Sequence, residues 1–253
     1  MRLDFLGTGA ADWQRGEGEF RAFTSTLING SLLIDGTMAA LEHMPADARI
    51  TDIVYTHSHS DHFDEKLLAA LSPVRAHMHS SWAARVSMLG IDVVPFDIGD
   101  TFKAAGHSLN VLPANHSTAD PGERAVHFIV DDGERTLFYA LDGGWLLNEE
   151  WHALRGRTLD AAVFDATIGE GNPGDFRIFE HNSIEMVRMM VRTLRRPMFG
   201  HVSAGDSYPA VLRKGAPVFL SHLARTLNPP QDVLESVLGE GFVAAFDGMR
   251  ACI

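Results

Sequence analysis

The segment spanning residues 56–62 constrains this chain more than any other stretch. It reads Thr-His-Ser-His-Ser-Asp-His, so four of its seven side chains can bind a metal. The Ile-Val-Tyr run before it is β-branched and aromatic and predicts a buried strand, and an amphipathic helical pattern begins at Asp64. The segment is therefore predicted to form a strand-to-helix loop, where a rigid scaffold can present side chains.

The spacing His-x-His-x-Asp-His favours a metal site. His57 and His59 are two residues apart, so on an extended chain they point to the same side and can share one ion. Asp61 and His62 follow as the chain turns and can reach a second ion nearby. The alternative is a polar loop that is rich in histidine by chance. Three histidines and an aspartate directly after a hydrophobic strand favour the metal site over that alternative.

This segment resembles the metal-binding loop of the metallo-β-lactamase-fold hydrolases, of which it is a specific mark. The resemblance implies an α/β (α+β) fold, a four-layer αββα sandwich, with a binuclear metal site at one edge of two packed sheets. No change of composition and no long Ser- or Pro-rich linker divides the sequence. We therefore expect a single domain over residues 1–253.

The resemblance implies three further ligands downstream. His116 follows one predicted strand, Asp142 ends another, and His222 ends a third. The family usually has Thr or Ser after the bridging aspartate, whereas Gly143 stands here; the carboxylate itself is retained. His201 is a rival for the role of His222. We prefer His222 because a predicted helix and a terminal hairpin follow it, as in the family.

By the same resemblance, the site holds two divalent ions, Zn or Mn, which the sequence does not separate. Two ions a few ångströms apart can hold a hydroxide between them and clamp a substrate oxygen. The expected ligands are His57, His59 and His116 for one ion and Asp61, His62 and His222 for the other, with Asp142 bridging both. Asp61 is also expected to orient the hydroxide that attacks phosphorus.

His181 is the residue that points to phosphodiester chemistry. It comes just before a predicted helix that Asn182 or Ser183 would cap, where free N–H groups favour an anion. On its own, a capping-loop histidine would be the simpler interpretation. Among enzymes of this fold, however, the phosphodiesterases carry a histidine here and thiolesterases generally do not. We expect His181 to hold the phosphate or to protonate the leaving alkoxide.

The C-terminal stretch narrows the resemblance further. Residues 241–249 are similar to the tail of the phosphoribosyl cyclic-phosphate phosphodiesterases, accessory enzymes of carbon–phosphorus lyase. The Asp247-Gly248 pair within it also predicts a simple hairpin turn. The substrate pocket is expected in residues 12–23 and 199–215, where the resemblance is thin. His77, His79, His107 and His127 lack the context of ligands and are expected to be structural or surface residues.

Composition excludes several classes of partner. The formal net charge is −12, and such a surface repels long nucleic acid. The single cysteine, Cys252, rules out an intrachain disulfide and a cysteine-based zinc knuckle. The sequence shows no signal-peptide h-region and no apolar run of membrane-spanning length, so a cytoplasmic protein without a membrane partner is expected. The sequence leaves open whether the protein forms a homodimer.

The expected function is metal-dependent hydrolysis of a small phosphodiester, with a cyclic ribose phosphate favoured. One alternative is a carboxylic-ester, thioester or lactone hydrolase of the same fold, against which His181 argues. A second is a ribonuclease Z-like tRNA 3′ endonuclease, which would need a basic, Gly-rich arm that the sequence lacks. The third is a metal-binding protein without catalysis, which the apparent general acid disfavours.

Overall fold

Two seven-stranded mixed sheets form the centre of the molecule. The structure is a computed structural model that describes residues 1–16, 19–87, 90–172, 174–199 and 207–253, of which 198–199 are described by their main chain alone. The strands of the first sheet are β1 (Arg2–Gly7), β2 (Ser25–Ile28), β3 (Leu32–Ile34), β4 (Asp52–Val54), β5 (Arg75–His79), β6 (Val93–Phe96) and β16 (Met249–Cys252). They are ordered β16-β1-β2-β3-β4-β5-β6. From β3 to β6 all neighbours are parallel, and the others are antiparallel.

The second sheet has the order β15-β14-β11-β10-β9-β8-β7. Its strands are β7 (Thr101–Ala104), β8 (His107–Pro113), β9 (Val126–Asp131), β10 (Thr136–Ala140), β11 (Ala161–Asp165), β14 (Val218–Ser221) and β15 (Phe242–Ala244). Neighbouring strands are parallel among β15, β14, β11 and β10. They are antiparallel among β10, β9, β8 and β7. A separate antiparallel pair comprises β12 (Met198–Phe199) and β13 (Ser207–Tyr208).

Helices cover the outer face of each sheet. Those described are α1 (Glu65–Leu71), α2 (Ser80–Ser87), α3 (Asn148–Leu154), α4 (Ile184–Leu194) and α5 (Gln231–Leu238), with 3₁₀ helices at Met38–His43 and Phe176–Phe179. Side chains of α1 and α2 pack on the first sheet, and those of α3, α4 and α5 pack on the second. The layers are therefore α, β, β, α, which confirms the expected sandwich.

Strand alternation explains why both faces of each sheet are apolar. In β10, Leu137 and Tyr139 face the first sheet, whereas Phe138 and Ala140 face the helices. Successive side chains on a strand point to opposite faces, so a strand buried on both sides needs an unbroken apolar run. Burying each large apolar side chain of this kind contributes roughly 1.5–3 kcal/mol to the free energy of unfolding.

Several local predictions are confirmed. The Asn29-Gly30 pair stands between two apolar runs in the sequence, which predicts a type I′ hairpin turn. In the structure these two residues adopt positive φ values of 48° and 73° between β2 and β3, as that turn requires. The Ser183 hydroxyl accepts a hydrogen bond from Met186 N and caps α4. Asp64 caps α1 in the same way by accepting from Lys66 N.

The expected terminal hairpin is wrong. The strand before Asp247-Gly248, β15, belongs to the second sheet, whereas the strand after it, β16, pairs with β1 in the first. The turn therefore passes from one sheet to the other, and the Asp247 carboxylate anchors it by accepting a hydrogen bond from Thr8 Oγ1 at 2.7 Å. A local turn signal is the same for a hairpin and for a connection between packed sheets.

Within the described residues, none of the helices has both the length and the apolar character needed to cross a membrane.

Candidate metal centre

The predicted ligands meet at one edge of the sandwich, where several of them follow the carboxyl end of a strand. Asp142 lies just beyond β10 and His222 just beyond β14, and both strands are parallel neighbours of β11. His116 lies beyond β8, whose direction matches that of β10 through two antiparallel steps. His57 lies beyond β4 of the first sheet. The loops at these strand ends form the site.

A first group of ligand atoms comes from His57, His59, His116 and Asp142, which can jointly hold an ion. His57 Nε2 is 3.4 Å from Asp142 Oδ2, and His116 Nε2 is 3.6 Å from the same oxygen. His116 Nε2 also lies 3.2 Å from His59 Nδ1. The structure thus brings together the side chains predicted for the first ion.

A second group comes from Asp61, His62 and His222, again beside Asp142. His222 Nε2 is 3.3 Å from Asp61 Oδ2 and 3.0 Å from Asp142 Oδ1. His62 Nε2 is 3.2 Å from Asp142 Oδ2. The two oxygens of Asp142 therefore face both groups, which is the arrangement expected of a bridging carboxylate.

The residues present fit divalent metal ions. His57 Nε2, His62 Nε2 and Asp142 Oδ1 are buried and make no well-aligned hydrogen bond, although oppositely charged groups of the cluster lie 3.0–3.4 Å away. A buried polar atom without a partner costs roughly 1–3 kcal/mol. Three such atoms in one place therefore indicate a common partner, such as a metal ion. Imidazole and carboxylate ligands suit ions such as Zn²⁺ and Mn²⁺.

The outward nitrogens of three ligand rings are fixed by hydrogen bonds. His62 Nδ1 donates to Asp35 Oδ2 at 2.9 Å, and His222 Nδ1 donates to Thr167 Oγ1 at 2.7 Å. His116 Nδ1 donates to a main-chain oxygen, that of Glu180, at 3.2 Å. Such bonds set the tautomer that leaves the inward nitrogen free for a metal. Asp35 is one of the supporting residues that sequence reasoning missed.

Backbone strain coincides with the ligands. Asp142 and His222 have φ values of 57°, and Asp35 has 54°, in the left-handed region that non-glycine residues seldom adopt. Strain of this kind costs on the order of 1–3 kcal/mol per residue and persists where the surrounding structure enforces it. Here it aims two ligands and one supporting carboxylate into the same small volume.

Burial and neighbouring charges shift the pKa values of the clustered side chains. Burial disfavours protonated His222, but Asp142 and Asp61 raise the pKa of its imidazole to about 10. Burial alone would raise the pKa of Asp61, yet His62 and His222 lower it to about 2. The pKa of the His57 imidazole is held well below its usual value, chiefly by burial. An ion held by His222 would therefore have to displace a proton from its imidazole.

His181 lies at the mouth of this cluster with its side chain 14% exposed. Its Nδ1 donates to Asp165 Oδ2 at 2.7 Å and lies 4.0 Å from Asp142 Oδ1. Burial opposes protonation, but the charge and hydrogen bond of Asp165 raise the pKa of His181 above its usual value. Asp165 was not predicted as a site residue; its position at the end of a hydrophobic strand, like that of Asp142, was the available signal.

Gly143 and Gly144 let two segments approach the centre closely. A Cβ on Gly143 would lie 2.6 Å from Cε1 of His127, so this ring occupies the space that a Thr or Ser side chain would need. A Cβ on Gly144 would lie 2.9 Å from Ile178 O and 3.1 Å from His181 N. The departure from the usual Asp-Thr or Asp-Ser pair is thus matched by local packing.

The cluster opens into a cavity of about 250 Å³. Of the segment 12–23, where the pocket was expected, Asp12 borders the cavity. Arg177 and Glu180 line it from the segment around the 3₁₀ helix Phe176–Phe179. The expectation for residues 199–215 is wrong for the described part, residues 207–215. Arg213 there forms an ion pair with Asp160 at 2.7 Å, at the end of β11 opposite to the site. Loop composition did not reveal which end of the sheet the segment reaches.

Histidines outside the cluster have other partners. His77 Nε2 donates to Asp52 Oδ1 at 2.7 Å, and His127 Nδ1 donates to Glu150 Oε1 at 2.6 Å. Both carboxylates are buried, which agrees with a structural role for these histidines. The rival ligand His201 lies outside the described residues.

Solved structures share the fold at low identity. A diphosphatase from the PhnP family aligns with a TM-score of 0.69 and 16% identity, over 99% of this chain and 97% of that chain. Zn²⁺-bound PqqB from Methylobacterium extorquens has a TM-score of 0.68 and 15% identity over 100% of both chains. The short form of human tRNase Z has a TM-score of 0.68 and 16% identity over 100% of this chain and 99% of that one. These similarities establish the fold.

The sequence itself matches a family. The family model described as a beta-lactamase superfamily domain covers residues 24–198, well over half of the chain. No curated protein matches the sequence significantly. Taken with the αββα sandwich and the histidine–aspartate cluster at its edge, the family match shows that this chain belongs to the beta-lactamase superfamily and has the metallo-β-lactamase hydrolase fold.

Proposed function

We propose that this protein is a phosphodiesterase that uses two divalent ions, Zn²⁺ or Mn²⁺, to hydrolyse a small phosphodiester, with a cyclic ribose phosphate as the favoured class. The observation that carries the proposal is His181. A protonatable imidazole stands 4.0 Å from the bridging carboxylate and is oriented by Asp165. Alkoxide leaving groups need such an acid.

Two sets of residues would hold the ions. His57, His59 and His116 would hold one, Asp61, His62 and His222 the other, and Asp142 would bridge both. When bound, ions of this kind lower the pKa of water to yield a nucleophile and offset charge on the phosphoryl group. The protein's own part is to orient the reactants and to move protons.

His181 and Asp61 have distinct roles in the proposed reaction. Because Nδ1 of His181 is held by Asp165, Nε2 is the nitrogen available to deliver a proton to the leaving oxygen. Burial lowers the pKa of His181, but the carboxylate of Asp165 raises it more, which favours the protonated ring that a general acid needs. Asp61 lies at the second group, where one of its oxygens can orient the attacking water.

Cavity size and charge support a small substrate. A volume of about 250 Å³ lies just below the roughly 300 Å³ at which typical ligand pockets begin. Arg177 lines the cavity, and its guanidinium is paired with both oxygens of Asp175 at 2.8 Å. The net charge of −12 disfavours a tRNA substrate, although one structural neighbour is a tRNase.

Hydrolysis of a carboxylic ester, thioester or lactone is the second candidate, because the same ligand set can activate water for attack on a carbonyl. The test is a direct comparison of metal-replete protein on bis-p-nitrophenyl phosphate, a ribose cyclic phosphate and a lactone. We expect turnover of both phosphodiesters and little of the lactone. Efficient lactone hydrolysis without phosphodiester hydrolysis would replace the proposal by the carbonyl alternative.

A further inference from the structure

The loop that carries His116 is fastened to the loop that carries His57 and His59 by a buried carboxylate. Glu123 lies between β8 and β9, seven residues beyond His116, and its side chain is 1% exposed. Its Oε1 accepts a hydrogen bond from Ser58 N at 2.8 Å, and its Oε2 accepts one from Ser58 Oγ at 2.7 Å. Ser58 is the residue between the two histidines.

Arg85 of α2 completes this contact. Its guanidinium donates to Glu123 Oε2 at 2.6 Å, so the buried carboxylate is both paired and hydrogen-bonded. A main-chain bond from Val126 N to Thr56 O at 3.0 Å joins the same two loops nearby. The three histidines of the first group thus lie on two loops that Glu123 joins at Ser58.

We propose that Glu123 is a positioning residue that sets metal affinity at the first group, formed by His57, His59 and His116, and leaves the second group unaffected. This inference rests on the two-ion arrangement proposed above. Residues that orient metal ligands typically change affinity 10–100-fold when they are removed. In the second group, by contrast, the His62 ring is held by Asp35 and the His222 ring by Thr167, and neither ring contacts Glu123.

The experiment separates the two groups by mutation. In a His222→Ala background only the first group is intact, and in a His57→Ala background only the second is intact. Zn²⁺ affinity is measured by competition with a chromophoric chelator. Adding Glu123→Ala should weaken binding roughly 10–100-fold in the first background and leave it unchanged in the second. Glu123→Gln, which retains one acceptor for Ser58 N, should weaken it less.

Asp160 provides a matched control. It is also a buried carboxylate, 6% exposed, that accepts from a main-chain N–H, that of Thr136, and pairs with arginines. It lies at the far end of β11. Asp160→Ala should lower the melting temperature as Glu123→Ala does, without altering Zn²⁺ affinity in either background.

The outcomes are distinct. Equal weakening at both groups, equal effects of the Glu123 and Asp160 variants, or unchanged affinity at the first group would overturn the positioning role. If Glu123→Ala does not fold, Ser58→Ala removes the hydroxyl bond alone and should still weaken the first group selectively. Failure of the His222→Ala protein to bind Zn²⁺ at all would overturn the two-ion proposal itself, and the inference with it.

Discussion

Asp165 holds the imidazole of His181 against the ring of His222. The Nδ1 atom of His181 lies 2.7 Å from Asp165 Oδ2, and its ring stacks on that of His222 with centroids 5.4 Å apart and planes 13° from parallel. Thr167 Oγ1 donates to the other oxygen of Asp165 at 2.7 Å and accepts from His222 Nδ1. One carboxylate therefore orients both the proposed acid and, through Thr167, a predicted metal ligand.

The importance of His181 should depend on the leaving group. A p-nitrophenolate leaves without a proton, whereas a ribose alkoxide needs one in the transition state. His181→Ala should therefore lower kcat roughly 10²–10⁴-fold on a ribose cyclic phosphate and much less on bis-p-nitrophenyl phosphate. Metal content is measured alongside to show that both ions are still bound. Equal losses on the two substrates would mean that His181 binds phosphate and does not deliver a proton.

The protein should bind two divalent ions per chain. Elemental analysis of metal-replete protein checks the number, and a value of at most one would contradict the binuclear arrangement. His222→Ala should remove the ion at the second group, because this residue and Asp61 face each other at 3.3 Å. If His201→Ala removes an ion and His222→Ala does not, the assignment of the last ligand is wrong.

Asp142 and His77 should differ sharply in their importance for activity. Asp142→Ala removes a ligand from both ions and should nearly abolish hydrolysis, whereas His77→Ala loses only its bond to Asp52 and should barely alter it. Steady-state rates and melting temperatures of the two variants provide the comparison. Similar losses of activity in two well-folded variants would contradict the ranking.

Gly144 should be intolerant of a side chain. In Gly144→Ala the new methyl group would meet main-chain atoms of Ile178 and His181 at 2.9–3.2 Å, which only a backbone shift can relieve. Overpacking of this kind costs roughly 1–3 kcal/mol. The shift should displace His181, so the variant should lose more activity on a ribose cyclic phosphate than on the p-nitrophenyl diester.

Gly174→Ala is the matched control for that substitution. Gly174 lies in the loop just before the 3₁₀ helix Phe176–Phe179, which contains Ile178. A Cβ on Gly174 would meet nothing within 4 Å. This variant should retain full activity on both substrates and a normal melting temperature. If the two alanine variants behave alike, the close approach at Gly144 does not position His181.

Metal affinity should rise with pH through the neutral range. Burial disfavours the charged His222, but the carboxylates of Asp142 and Asp61 raise the pKa of its imidazole to about 10, so the ring is protonated at pH 7 in the metal-free protein. An ion can use Nε2 only after that proton leaves, so apparent affinity should increase about tenfold per pH unit for each proton released. Calorimetry in buffers of different ionisation enthalpy should detect at least one proton. Binding without proton release would show that His222 is neutral or is not a ligand.

The sequence by itself determined the local parts of this protein. Residues 56–62 predict a metal-binding loop because ligand-type side chains at that spacing follow a hydrophobic strand. The Asn29-Gly30 turn and the start of α4 follow from φ preferences and capping chemistry that act within a few residues. Resemblance to a family then added Asp142 and His222, which the fold brings into contact.

Only the tertiary structure decided which distant residues support the site. Asp35 holds His62 from 27 residues away, and Glu123 holds Ser58 from 65 residues away. Neither contact is indicated by the pattern of apolar and polar residues in the sequence, because each depends on how two sheets stack and which strand ends share an edge. The same reason explains why the turn at Asp247 was expected to close a hairpin: local turn chemistry does not encode the sheet to which the next strand belongs.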